Sequence, residues 1–137
     1  MDWAKLVPEL LCSDTARSIA FYRDVLGFKI LYERPEEGFA YMDLGGASLM
    51  LERQSDYWFT GKLERPYGRG INFEIGVEDV DALCRRVKAA DVTLFREIEE
   101  SQKGFAQRVV RFNLDYNVNP RMAYNHYFGK KPAAKKA

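Results

Sequence analysis

Three carboxylates and two aromatic rings are the side chains of this sequence whose types and spacing best suit them to do chemistry together. Glu9, Glu52, Glu74, Phe39 and Tyr41 lie in short segments of alternating character, where parity decides the face each residue occupies. The opposite parity in those segments (Leu10, Cys12, Leu49, Leu51, Ile71, Phe73 and Ile75) is almost wholly apolar and should pack on helices. That leaves Glu9, Leu11, Phe39, Tyr41, Asp43, Met50, Glu52, Asn72 and Glu74 to share the other face. Rings to stack on, set among anions, suit a flat, cationic, partly aromatic ligand. A solvated sheet surface, where Glu and Tyr are ordinary, accounts for the periodicity equally well.

Other reactive residue types offer less. His126 is the single histidine, and one imidazole in a Tyr/Asn-rich segment reads as a hydrogen-bonded structural residue. Cys12 and Cys84 fall in apolar-periodic segments and read as small buried hydrophobes in a reducing compartment, not as a disulfide or metal pair. Tyr57-Trp58-Phe59 puts three aromatics in a row. They could cap a ligand cleft, meet a partner subunit or pack over the edge of their own sheet.

The elements that must position these groups follow from the pattern. Leu6–Cys12 is an apolar strand, and Asp14 is placed to cap a helix over Thr15–Leu26, with Gly27 to end it in the left-handed conformation. Strands are expected at Phe28–Glu33, Phe39–Leu44 and Ala47–Glu52, the last two joined through Gly45-Gly46. After a charged and aromatic loop, Arg53–Gly70, the order restarts. Ile71–Val77 alternates cleanly, Asp79 repeats the capping role about 65 residues after Asp14, and a helical stripe runs toward Asp91. Val92–Ile98 reads as a strand, and Arg108–Tyr116 and Arg121–Phe128 read as a closing hairpin about Asn117–Pro120. The reading is an α+β protein of two βαβββ modules, 5–54 and 70–129, in one domain over 1–129. Residues 130–137 are expected to be a disordered basic tail.

The bulk numbers bound the function. A chain of 137 residues with 21 Lys and Arg against 20 Asp and Glu carries a net charge of +1, so it lacks the clustered basic surplus that nucleic acid requires. It has no signal-peptide pattern and no apolar run of membrane-spanning length, so the expected address is the cytoplasm.

Val7-Pro8, Ser13-Asp14, Ser18–Tyr22, Val25–Phe28 and Gly45–Leu49 together resemble the first half of a bleomycin-resistance protein of the glyoxalase-like, or vicinal oxygen chelate, superfamily. Phe21-Tyr22 followed by Leu26-Gly27-Phe28 is the most specific part, and Ile71–Val92 resembles the start of the second half. The resemblance implies a curved mixed sheet with helices on its outer face and a cleft on the concave side. It implies a homodimer with its cavities at the subunit interface. Enzymes of the superfamily hold a divalent ion with four side chains from the concave face. Three of those positions fall here on Val7, Ser48 and Asn72, none of them a good ligand. The resemblance therefore implies a metal-free, cofactor-free binding protein with no catalytic residues, sequestering a bleomycin-like antibiotic. Its expected ligand-binding residues are Glu9, Phe39, Tyr41, Met50, Glu52, Trp58, Phe59, Asn72 and Glu74. The alternative is a metal-dependent isomerase, thiol transferase or dioxygenase with atypical ligands. The last two strands depart from the family, with Asn117–Pro120 where an Asp-Pro-Asp-Gly-type turn is usual.

Overall fold

Two aspartates start the two main helices, as their spacing suggests. Asp14 accepts from the backbone N–H of Arg17 at 3.0 Å, and Asp79 accepts from Ala82 at 2.9 Å, each satisfying a donor the first turn leaves unpaired. The structure is a computed structural model of the chain, and it describes residues 3–58, 61–62, 71–92, 99–100, 109–113 and 127–130.

Helix α1 (Thr15–Ala20) continues into a π-helical stretch, Phe21–Leu26, so the expected twelve-residue helix is α-helical only in its first half. Gly27 closes it in the left-handed region at φ 87°, and the N–H of Phe28 donates to Tyr22 O at 2.9 Å. This local geometry explains the family-like Phe21-Tyr22 and Leu26-Gly27-Phe28 pattern. The Tyr22 and Phe28 rings meet edge to face at 5.3 Å, so these residues form the helix exit and the core and take no part in a reactive site.

Strands β1 (Glu9–Cys12), β2 (Lys29–Arg34), β3 (Phe39–Leu44) and β4 (Ala47–Arg53) form one sheet in the order β1-β4-β3-β2. Strand β1 runs parallel to β4 and the other pairs are antiparallel. Gly45 and Gly46, at φ 58° and 97°, supply the two left-handed residues of the β3–β4 turn. Strands β5 (Asn72–Gly76), β6 (Glu99–Glu100), β7 (Val109–Asn113) and β8 (Tyr127–Lys130) form a second mixed sheet, with α2 (Val80–Ala89) following β5.

The second module repeats the first in element order but not in pairing. Its sheet runs β5-β7-β8-β6, with β5 antiparallel to β7 and β6 parallel to β8. Order along the chain reads from local pattern, whereas neighbour choice is a long-range matter. Of the strand expected over Val92–Ile98, Val92 lies outside any strand and residues 93–98 lie outside those described; a short strand is present at Glu99–Glu100. Strand β8 reaches Lys130, the first residue of the expected tail, while the Asn117–Pro120 turn and residues 131–137 lie outside the described part.

Among the described residues the core is one cluster between the first sheet and the helices. Leu10, Cys12, Ala40, Met42, Leu49 and Leu51 from the sheet meet Phe21, Tyr22, Leu26 and Phe28, and Ile75, Leu83, Cys84 and Val87 join from the second module. Arg86 of α2 also ties the modules together, donating to Val25 O at 2.9 Å and Leu26 O at 3.0 Å, carbonyls that the helix end leaves open. A Cβ at Gly27 would fall 2.8 Å from that guanidinium, on backbone that L residues rarely adopt. Arg86→Ala should cost about 1 kcal/mol, and Gly27→Ala about 1–2 kcal/mol. Because the alanine methyl expels the same guanidinium, the double variant should cost less than the sum of the two. Urea unfolding of all four proteins measures that coupling.

Candidate functional site

Strand register places the predicted face directly. Glu9 pairs with Met50, and Leu11 with Glu52; Phe39 pairs with Glu52, Tyr41 with Met50, and Asp43 with Ser48. Residues opposite one another across a ladder point to the same side, so these side chains share the face turned away from the core. Phe39 and Tyr41 are nonetheless buried, at 7% and 3% exposure, and neither belongs to the core cluster. Something on the far side of the sheet covers them.

Trp3 covers Tyr41, and Arg34 covers Phe39 with the Tyr32 ring beside it, centroids 6.2 Å apart; parity singled out none of the three. Trp3, in the segment before β1, meets Tyr41 edge to face with centroids 4.4 Å apart. The Arg34 guanidinium lies 4.2 Å from the centre of the Phe39 ring and 5.6 Å from that of Tyr32. Arg34 reaches this face because of a register shift. Ile30 pairs with Met42 on the core side, but Tyr32, two residues on, pairs with Tyr41 and Arg34 pairs with Phe39. The irregularity between Ile30 and Tyr32 exchanges the faces of all that follows. Nothing in Lys29-Ile30-Leu31-Tyr32-Glu33-Arg34 announces it.

Beside the rings stand two carboxyl groups. Glu9 and Glu52 are diagonal neighbours across the parallel β1–β4 pair, Glu9 opposite Met50 and Leu11 opposite Glu52. The Glu9 carboxyl is held above the usual carboxylate range, first by partial burial and then by the hydrogen bond and charge of Glu52. The Arg34 cation opposes this shift. Arg34 also pairs with Glu37 at 2.5 Å. The face therefore offers an ionisable carboxyl pair beside two rings, with one cation already seated.

The other expected residues divide. Met50 is half-buried opposite Glu9 and Tyr41. Asp43 is occupied by the turn, its two oxygens accepting from Ser48 Oγ at 2.8 Å and Gly46 N at 3.1 Å. Glu74 borders a cavity of about 200 Å³ with Pro8, Phe28, Ser48, Phe73 and Ile75, away from the Glu9–Glu52 pair. Asn72 lies in β5 opposite Asn113, with only its backbone described. Trp58 ends a 3-10 turn, Asp56–Trp58, beside the largely exposed Tyr57; Phe59 and His126 lie outside the described residues. Burial pushes the Cys12 thiol up to about 11, so it is no nucleophile.

The divalent ion of the family's enzymes finds a poor donor set. Val7 has no donor atom, and the Ser48 hydroxyl is a weak neutral one already directed to Asp43. Among the described residues no three His, Cys, Asp or Glu side chains converge as ligands.

A curved mixed sheet, with helices on one side and a polar-aromatic face on the other, makes this an α+β protein of the glyoxalase fold. The chain belongs to the glyoxalase/bleomycin resistance protein/dioxygenase superfamily, whose sequence model matches residues 6–112. It is 36% identical over 93 residues to the lactoylglutathione lyase of Haemophilus influenzae, an alignment covering 64% of this chain and 68% of that one. In structure it is similar to TioX from Micromonospora sp. ML1, with a TM-score of 0.60, 19% identity and coverage of 96% and 100% of the two chains. It is also similar to the bleomycin-binding protein of Streptomyces verticillus complexed with copper(II)-bleomycin, with a TM-score of 0.50, 18% identity and coverage of 97% and 99%. These two structural likenesses establish fold alone. No helix among the described residues is long and apolar enough to cross a membrane.

Proposed function

We propose that this protein is a non-catalytic binding member of the superfamily, sequestering a cationic, partly aromatic antibiotic on its concave face. The observation that carries the reading is the Glu9–Glu52 carboxyl pair set beside the Phe39 and Tyr41 rings. A positive group offsets the repulsion between the two neighbouring carboxylates, while a planar group stacks on the rings. A superfamily that includes bleomycin-resistance proteins, and a fold neighbour complexed with copper(II)-bleomycin, support a ligand of that kind. A homodimer belongs to the same proposal, since Leu6, Tyr57 and Ile71 leave apolar surface exposed; light scattering at micromolar concentration reads it.

A second reading, a metal-dependent enzyme with atypical ligands, is favoured by the relation to a lactoylglutathione lyase. Metal analysis separates the two. Protein purified without chelators or added ions should carry well below one equivalent of zinc, nickel, manganese or iron, and should bind metal-free bleomycin stoichiometrically in a titration. One retained equivalent of any of these ions, with no bleomycin binding, would replace the proposal with the enzyme.

A further inference from the structure

We propose that Trp3 and Arg34 are an internal stand-in for the ligand and set which ligands the face accepts; the inference rests on the binding reading above. The two rings expected to stack on a ligand already have partners from the chain itself, and those partners are of the two complementary kinds. Tyr41 carries an aromatic ring, Trp3, and Phe39 carries a cation, Arg34, at 4.2 Å from its centre, nearer than the tilted Tyr32 ring at 6.2 Å. Tyr41 and Phe39 alternate on one strand, so the ring and the charge that cover them are seated roughly 7 Å apart, two residues of strand rise. A ligand that takes their place presents a flat ring and a positive group at about that spacing.

Both covering groups are placed to leave. Trp3 keeps 54% of its surface exposed while the ring beneath it keeps 3%, so the contact shields Tyr41 far more than it buries Trp3. Arg34 ends β2, beside the Pro35–Gly38 turn, and its side chain is 36% exposed. Its ion-pair partner Glu37 lies in that turn and is more exposed still, so the pair can persist when the guanidinium swings away from the ring. If Arg34 stayed, its charge would oppose an incoming cation at the Glu9–Glu52 pair, where it already acts on Glu9. Displacement therefore makes the site selective. A neutral ring has nothing to replace Arg34 with, and a small cation lacks the ring to replace Trp3.

The test uses the full chain and metal-free bleomycin A2 as probe, with calorimetry on wild type, Trp3→Ala, Arg34→Gln and the double variant. Each single change should tighten binding about threefold to tenfold, the range set by one edge-on ring contact or one exposed cation–π contact given up beforehand. The double variant should bind tighter than either. In a Trp58→Phe background, where Trp3 is the sole tryptophan, saturating probe should shift the emission to the red as the indole moves into water. Trp3→Leu and Arg34→Met repeat the comparison should either first variant fail to fold. Weaker binding by the Trp3 variants would make Trp3 a wall of the site, and weaker binding by the Arg34 variants would assign it to an anionic group of the ligand. Either result, or unchanged affinity, overturns the stand-in while leaving the binding reading in place. Absence of binding in wild type and all variants overturns the binding reading itself. Binding by the variants alone is the stand-in in its strongest form.

Discussion

Tyr22→Ala should lower the unfolding free energy by about 3–5 kcal/mol, the cost of truncating a large, fully buried aromatic side chain. Tyr22 is 0% exposed and packs its ring edge-on to both Phe21, at 5.7 Å, and Phe28, at 5.3 Å. The surrounding cluster joins the first sheet to Leu83, Cys84 and Val87 of α2, so the cavity opens where the modules meet. Such a loss is a large part of the total for a domain of this size, typically about 5–15 kcal/mol. A lower urea midpoint with an unchanged slope is the expected signature; a changed slope would mean that the native or denatured state had altered in compactness. Ligand affinity, extrapolated to the folded fraction, should stay within about twofold, because Tyr22 lies in the helical layer on the core side of the sheet, away from the concave surface.

The carboxyl pair gives the second large effect. Replacing both Glu9 and Glu52 with Gln should weaken bleomycin binding about tenfold at low salt, from two partly exposed ion pairs worth up to about 1 kcal/mol each. The loss should shrink as salt rises, since screening has already weakened those pairs in wild type. The same variant should leave the free protein as stable or more stable at neutral pH. The sign follows from Glu9, whose carboxyl is raised in the folded state by burial and then by Glu52. Its folded-state proton is held more tightly than in the unfolded chain, so its stabilising contribution is complete below the unfolded value and lost as pH rises through the folded one. Gln removes that loss. For the ligand the direction reverses: a cation favours the ionised pair, so wild-type binding should strengthen as pH rises through the Glu9 titration. Binding should also release a proton in that window. Calorimetry in two buffers of different ionisation heat measures the proton, and a null result there would mean that the ligand's charge lies elsewhere.

The antibiotic-binding reading and the stand-in make different demands on the same surface. Glu9 and Glu52 should matter for any cationic ligand, whereas Trp3 and Arg34 should matter most for one that joins a ring to a charge. Comparing bleomycin with a simple quaternary ammonium ion across the variants would separate the two contributions. The carboxylate variants should weaken both compounds, and the covering-residue variants chiefly improve the first.

Local chemistry made much of this protein legible from its sequence. Asp14 and Asp79 cap helices because a short carboxylate reaches the open amides of a first turn wherever the helix goes next. Gly27, Gly45 and Gly46 take up positive φ because the backbone there needs it, and alternation along β1, β3 and β4 separates the core from the Glu9, Phe39, Tyr41 and Glu52 face. These outcomes depend on neighbours a few residues away. Other features depend on residues distant in the chain. A single irregularity between Ile30 and Tyr32 turns Arg34 onto the ligand face, because a strand's partner sets its register and one slipped residue exchanges every face beyond it. Glu9 and Glu52 stand side by side because parallel pairing of β1 with β4 brings together residues far apart in the chain, and Trp3 covers Tyr41 because the segment before β1 crosses that face. The exchanged neighbours of the second sheet have the same origin: strand order is chosen by long-range packing, which alternation along a segment does not encode.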